Sequence, residues 1–138
     1  MLAYPARLHR EGPDFLVDFP DFPNIATYGK DQNEALRHAE EALNGCIESD
    51  FERGFSIPPP SAAKGRGVHL IPVRPHVAVA VLLRQLRGSL TQQEVAARLK
   101  ISFQVYQRLE NPRKANPTIK TLEKVAQAYG RRVELGFV

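Results

Sequence analysis

The sequence predicts an α+β protein in two parts, a strand-rich front followed by an all-helical back, and three observations predict it. Up to residue 60, short apolar runs alternate with Gly- and Pro-rich turns and flank one long amphipathic stretch. From Pro75 onward the apolar residues recur at three and four instead, and polar capping residues follow one another at short intervals. The charge changes sign in between. Residues 1–60 hold five Lys/Arg against eleven Asp/Glu, a net of −6, whereas residues 61–138 hold fourteen against four, a net of +10. Such a split calls for two partners of opposite sign, a basic one for the front and an anionic one for the back.

Composition restricts the class further. With 138 residues, 43% apolar and 25% charged, the chain has an ordinary globular balance and is not a long disordered polymer. The uncharged run Val77–Leu83 is seven residues long, far short of the roughly 20 that a membrane helix needs, so no membrane partner is expected. The start, Met1-Leu2-Ala3-Tyr4-Pro5, lacks the basic region and apolar core of a secretory signal, and a cytoplasmic protein is the expectation. The single cysteine, Cys46, forms neither an internal disulfide nor a thiolate zinc cage, and its apolar helical position makes it core packing.

The front reads as β-β-β-α-β. Residues 3–9 and 15–19 are apolar-rich runs separated by the turn cluster Glu11-Gly12-Pro13-Asp14, which makes a β-hairpin. A third short strand covers Ile25–Tyr28, and Pro20 and Pro23 argue against its extending backwards. Asp31 and Glu34 have capping-box spacing and open a helix. Its inner face is Ala35, Leu36, Ala39, Ala42, Leu43, Cys46, Ile47 and Phe51, and it ends near Gly54. Three successive prolines, Pro58 to Pro60, force the next segment to be extended. Lys64-Gly65-Arg66-Gly67 is a mobile basic connection, and residues 68–73 form a fourth strand. The front domain is therefore 1–72, with 73–74 as linker and 75–138 as the second domain.

In the back, Val77, Val81, Leu82 and Leu86 mark a first helix. Thr91 and Glu94 form a second capping box, followed by the inner residues Val95, Ala96 and Leu99 of a short helix. Lys100-Ile101 is a tight connection. Ser102 caps the next helix, whose apolar spacing continues through Val105, Tyr106 and Leu109 until Asn111-Pro112 stops it. Thr118 caps a fourth helix that ends at Gly130. The tail 132–138 alternates polar and apolar residues as a terminal β-strand without a partner strand in this half.

Two short helices joined by a tight turn in a basic four-helix module let the second helix lie in a DNA major groove. The run from Thr91 through Ser102 to Asn111, followed by Pro117 to Leu122, resembles the helix-turn-helix of phage repressors and Cro-like regulators over residues 75–138. The resemblance implies that Gln92 touches a phosphate and that Ser102, at the mouth of the recognition helix, is part of the DNA-facing surface. It further implies that Phe103, Gln104, Gln107 and Arg108 face base edges. Gln pairs bidentately with adenine and Arg with guanine, while Phe103 packs on a thymine methyl or a sugar. Asn111, Arg113 and Lys114 would hold the backbone. One departure stands out: the turn position usually taken by Gly is Lys100, which strains or loosens the turn and adds a cation near the phosphates.

The front resembles HicB antitoxins that carry a C-terminal helix-turn-helix. The likeness rests on Tyr4-Pro5-Ala6-Arg7-Leu8, on Phe15 through Pro23, on Thr27-Tyr28-Gly29, on Glu34 through Leu43 and on Ile57 through Ser61, in that order. It implies a partial ribonuclease-H-like domain that binds HicA, a small basic toxin of double-stranded-RNA-binding type that cuts mRNA, and covers its catalytic histidine. It also implies that the pair represses its own operon by binding operator DNA, as a homodimer or higher homo-oligomer. An acidic domain suits a basic partner independently of the likeness. Candidate toxin contacts are Asp18, Asp21, Glu40, Glu41 and Glu48. Candidate dimer contacts are Val133, Leu135 and Phe137, buried if two terminal strands pair across the axis.

The competing reading is a transcriptional regulator whose front domain senses another protein or a ligand. An enzyme is the third class, with Asp14, Asp18, Asp21 and Asp31 imagined as carboxylates for two magnesium ions. Carboxylates equally serve loops and caps, and Asp31 has a capping role. His9, His38, His69 and His76 show no metal-ligand spacing. No catalytic residue, cofactor or metal is expected.

Overall fold

Gly12, at a φ of +61°, and Pro13 turn the chain between β1 (Ala3–Glu11) and β2 (Asp14–Phe19), as the hairpin signal requires. The protein is described by a computed structural model that covers residues 1–138 and divides into two units, Met1–Pro75 and His76–Val138. The first unit adds β3 (Phe22–Gly29), α1 (Gln32–Glu52) and β4 (Val68–Pro72). Its sheet is antiparallel in the order β3-β2-β1-β4. Strand β1 pairs with β4 over Ala3–Arg7 and with β2 over Arg7–Glu11. Pro5 therefore sits in a central strand at a point where β2 no longer runs beside it.

One expectation fails here. Strand β3 begins at Phe22 and includes Pro23, rather than starting at Ile25. Proline is tolerated because β3 is an edge strand, and the register with β2 is irregular between Asp18 and Phe19.

The side chain of Asp31 accepts from the Glu34 amide at 2.8 Å and caps α1. Glu34 reaches back one residue further than a strict capping box, to the Lys30 amide at 2.8 Å. Ala35, Ala39, Leu43, Ile47 and Phe51 are buried along the helix. Gly29 lets the first turn of α1 come close, since a Cβ there would stand 2.3 Å from the Ala35 nitrogen. Cys46 is half-buried, and burial followed by the neighbouring Asp50 pushes its thiol up.

Sequence periodicity missed Asn44, which is buried on the same face. Its amide donates to the carbonyls of Glu40 at 2.9 Å and Pro72 at 3.3 Å, while its oxygen accepts from the Arg74 amide at 2.8 Å. Val73 is buried and donates to the Leu2 carbonyl at 3.0 Å. Residues 73–74 are thus fastened to the first unit through the Val73 side chain, the Val73 and Arg74 amides and the Arg74 guanidinium. The extended segment after α1 is fastened in the same manner. Tyr4 donates to the Pro58 carbonyl at 2.6 Å, and the Ser61 amide donates to Asp21 at 3.0 Å. Tyr4 lies edge-on to Phe22 with ring centroids 5.0 Å apart. Burial first, and Asp21 second, raise its phenol to about 12. The Lys64–Gly67 connection is a turn pinned by the Leu8 amide on the Gly67 carbonyl at 2.7 Å.

The second unit comprises α2 (Pro75–Arg87), α3 (Gln92–Leu99), α4 (Phe103–Leu109) and α5 (Ile119–Ala128). Its core is Leu83, Val95, Ala96, Leu99, Tyr106, Leu109 and Val125, with Val79, Leu90, Ile101 and Tyr129 packed against it. Val77 and Val81 are buried as expected, but Leu82 is 45% exposed and Leu83 takes its place. Of the expected α2 stripe, Leu82 is thus the position that periodicity alone misplaced. The terminal strand does not form: residues 131–138 adopt no regular secondary structure, since a lone strand has no ladder to join.

Candidate functional site

The site with the most explicit geometry is the pair α3–α4. Thr91 accepts from the Glu94 amide at 3.1 Å and Ser102 accepts from the Val105 amide at 3.1 Å, so each helix starts on a hydroxyl cap. Between them, the Lys100 amide donates to the Ala97 carbonyl at 3.2 Å and the Ile101 amide to the Ala96 carbonyl at 3.1 Å. This Schellman-type ending holds Lys100 in the left-handed region, at φ 58° and ψ 41°. Half-buried Ile101 then anchors the turn on the core.

Helix α4 has seven residues, of which Tyr106 and Leu109 are buried. At about 100° per residue, Phe103, Gln104, Gln107 and Arg108 fall on the opposite side. The structure brings these four together as one surface, with Phe103 half-buried and the other three exposed. Val105, expected inside, is 45% exposed and borders this surface next to Arg108. The only available signal was that a helix this short buries one i, i+3 pair, and Tyr106 with Leu109 already fills it.

Gln92 is the first residue of α3 and is half-exposed. Asn111 serves the turn after α4. Its side chain accepts from the Arg113 amide at 3.0 Å, and its carbonyl accepts from the Lys114 and Ala115 amides at 3.1 and 2.8 Å. Arg113 and Lys114 are exposed on that turn.

Glu110 closes α4 from within. Its side chain is 1% exposed and takes a two-pronged bond from Arg87, Nε to Oε2 at 2.7 Å and Nη2 to Oε1 at 3.0 Å. The third prong of Arg87 donates to the Leu90 carbonyl at 2.7 Å. One guanidinium thus joins the end of α2, the residue before the α3 cap and the end of α4. The bond to Glu110 holds Arg87 more firmly charged against the opposing effect of burial. Burial, then Glu110, pushes the neighbouring Tyr106 phenol far up.

The acidic candidates of the first unit do not form one surface. Asp18 alternates with buried Val17 in β2 and so faces away from α1, which packs on the side of Val17 and Gly29. Asp21 is occupied by the Ser61 amide. Glu40 stands 3.4 Å from Arg74, exposed Glu41 lies one residue on, and half-buried Glu48 lies two turns further on the Glu41 side. Asp14 is on β2 and Asp31 caps α1, and no group of three or more His, Cys, Asp or Glu converges for a metal. His38 meets the Tyr28 carbonyl at 2.7 Å through Nδ1. No helix is long and apolar enough to cross a membrane.

An antiparallel sheet with one helix, followed by an all-helical unit with a short exposed second helix, defines a two-unit helix-turn-helix protein. The family model described as the HicB_like antitoxin of bacterial toxin-antitoxin systems matches residues 3–78, and a helix-turn-helix model matches residues 82–135. Among curated relatives, Antitoxin HicB 1 of Photorhabdus laumondii is 33% identical over 97% of this chain and 86% of its own length. Antitoxin HicB of Escherichia coli strain K12 is 34% identical over 90% of both chains. The chain belongs to the HicB antitoxin family, and its second unit is a helix-turn-helix DNA-binding domain.

The ion pair has a direct consequence. Glu110→Gln leaves the Arg87 guanidinium enclosed without its counter-charge, and a loss of about 3 kcal/mol or more is expected in the melting of the second unit. Replacing both, Arg87→Met with Glu110→Leu, should recover most of that loss. A Glu110→Gln protein that melts like the wild type would show that the pair does not hold the unit together.

Proposed function

We propose that this chain is the antitoxin of a HicA-type, mRNA-cleaving toxin, which the first unit binds and blocks, and that the second unit binds operator DNA and represses the operon encoding the pair. The exposed surface of Phe103, Gln104, Gln107 and Arg108 on α4 is the observation that carries the DNA half. The net charge supports it, with eleven Lys/Arg against four Asp/Glu in residues 76–138, a net of +7. Gln104, Gln107 and Arg108 read base edges, Phe103 and Val105 pack on thymine methyls or sugars, and Gln92, Ser102, Arg113 and Lys114 hold phosphates. Asn111 acts through the turn it builds. The protein works in the cytoplasm, without cofactor or catalytic residue of its own.

For the toxin half, the outer face of α1 with Glu40, Glu41 and Glu48 is the acidic surface offered to a basic partner, while Asp18 and Asp21 are placed elsewhere. Repressors of this type read paired half-sites, so the active form is at least a dimer. Ile119, Glu123 and Gln127 of α5 and Arg131, Val133 and Leu135 of the tail line a shallow groove, with Leu135 74% exposed and Phe137 fully so. Two tails pairing across the axis would bury Val133, Leu135 and Phe137.

Calorimetric titration of the full chain with the small basic protein encoded beside its gene should show tight binding together with loss of that protein's RNA cleavage. Absence of binding would leave a DNA-binding regulator that senses something else. Glu41→Lys with Glu48→Lys should slow association by about tenfold or more at low salt, and unchanged kinetics would remove this helix from the interface. Arg108→Ala should weaken a cognate operator by about 1–3 kcal/mol and relax its base preference, whereas equal losses on cognate and random DNA would refute base reading. Truncation after Gly130 should reduce the mass in solution, and an unchanged mass would exclude tail pairing.

A further inference from the structure

The sheet of the first unit ends in β4, whose outer edge is closed at both ends and open in the middle. The Leu8 amide donates to the Gly67 carbonyl and the Val73 amide to the Leu2 carbonyl, and these two pairs fix the alternation of the ladder between them. Tyr4 with Ile71 and Ala6 with His69 exchange its bonds, while Pro5, which has no N–H, lies opposite Leu70 where none is required. The backbone groups of Val68, Leu70 and Pro72 therefore turn outward. At one end the Val68 amide is taken by the Gly65 carbonyl at 3.3 Å. At the other, Pro72 has no amide and its carbonyl accepts from Asn44 at 3.3 Å. Leu70 keeps both an outward N–H and an outward C=O, and its side chain is 63% exposed.

A free edge is ordinarily guarded by charge, yet β4 carries no Lys, Arg, Asp or Glu. One donor and one acceptor on a single residue are what a two-fold bridge uses, because Leu70 then meets its own copy and the two exchange both bonds. A longer strand from another protein would run into the closed ends. The groove beside this edge favours the same occupant. Arg37 and Glu40 of α1 line it with residues 69–72, and Arg74 stands 3.4 Å from Glu40, so its charge is mixed and suits a second copy better than a basic partner. A two-fold axis at Leu70 reverses α1 in the second copy and turns Arg37 of one chain toward Glu40 of the other. We propose that two first units join edge to edge at β4 through a Leu70 to Leu70 bridge, an interface separate from the terminal tails. Neither the toxin nor the DNA reading is needed for it.

The test is mild oxidation of the full chain carrying Cys46→Ser and one new cysteine, read as disulfide-linked dimer on a denaturing gel, alongside the mass in solution. The two Leu70 Cα atoms stand about 5.5 Å apart in such a bridge, within disulfide reach, so Leu70→Cys should link. Val68 would face Pro72 of the other copy, which leaves the two Val68 residues about 13 Å apart, and Val68→Cys should not link. The Leu70→Cys link should survive truncation after Gly130. Leu70→Pro removes the donor at an outward edge position that the fold does not use, and should lower the mass about twofold with unchanged circular dichroism. A Leu70→Cys chain that links no better than Val68→Cys, a link lost with the tail, or a folded Leu70→Pro chain of wild-type mass would each overturn the proposal. Wild-type mass together with lost binding of the small basic protein would assign the edge to that partner instead.

Discussion

The Arg87–Glu110 pair is the constraint on which the second unit depends. An isolated helix of seven residues has no appreciable stability in water, since nucleation costs more than so few backbone bonds return. Helix α4 exists because Tyr106 and Leu109 reach the core and because Glu110, at its end, is locked by a guanidinium that also holds α2 and the entry to α3. The same bond determines which side of α4 is left outside. With Tyr106, Leu109 and Glu110 directed inward, Phe103, Gln104, Gln107 and Arg108 have only the solvent side available. Positioning of this exposed face is in this sense a product of core chemistry.

The first unit solves a different problem with similar means. A four-stranded sheet with a single helix leaves its connections short of apolar partners, and side-chain bonds to backbone supply what packing does not. Asn44 ties the end of β4 to α1, Tyr4 fastens the proline segment, and Asp21 holds Ser61. Each removes a polar group from the inventory available to a partner. Residues that look like exposed contacts in the sequence are therefore partly structural, as Asp21 is.

Elements with caps were legible in the sequence, because Asp31, Thr91, Ser102 and Thr118 each announce a helix start by local chemistry that no tertiary contact overrides. The order β-β-β-α-β was legible for the same reason, from turn residues and alternation. What escaped were features decided by the third dimension. The exposure of Val105 and Leu82 depends on how much of a short or two-sided helix its neighbours cover. The burial of Asn44 and Glu110 depends on partners 30 and 23 residues distant in sequence. The edge position that tolerates Pro23 is a property of sheet order, and the absence of a terminal strand is a property of what lies beside it. The exposed residues of α4 were legible because they follow from helical phase. The acidic candidates were not, since negative charge marks a sign and no direction.

The unit boundary also changes the electrostatic argument. Lys64, Arg66 and Arg74 belong to the first unit, which over residues 1–75 holds eight Lys/Arg against eleven Asp/Glu, a net of −3 rather than the −6 counted to residue 60. Its acidity is concentrated instead. Helix α1 alone carries Glu34, Glu40, Glu41, Glu48, Asp50 and Glu52 against Arg37, a net of −5, while the turn beside β1 carries Lys64 and Arg66. A basic partner steered by this field is drawn to the outer face of α1 and repelled from the Lys64–Gly67 corner. The sign of the first unit is therefore a weak guide to its interface, and the distribution of that charge between helix and sheet is the stronger one.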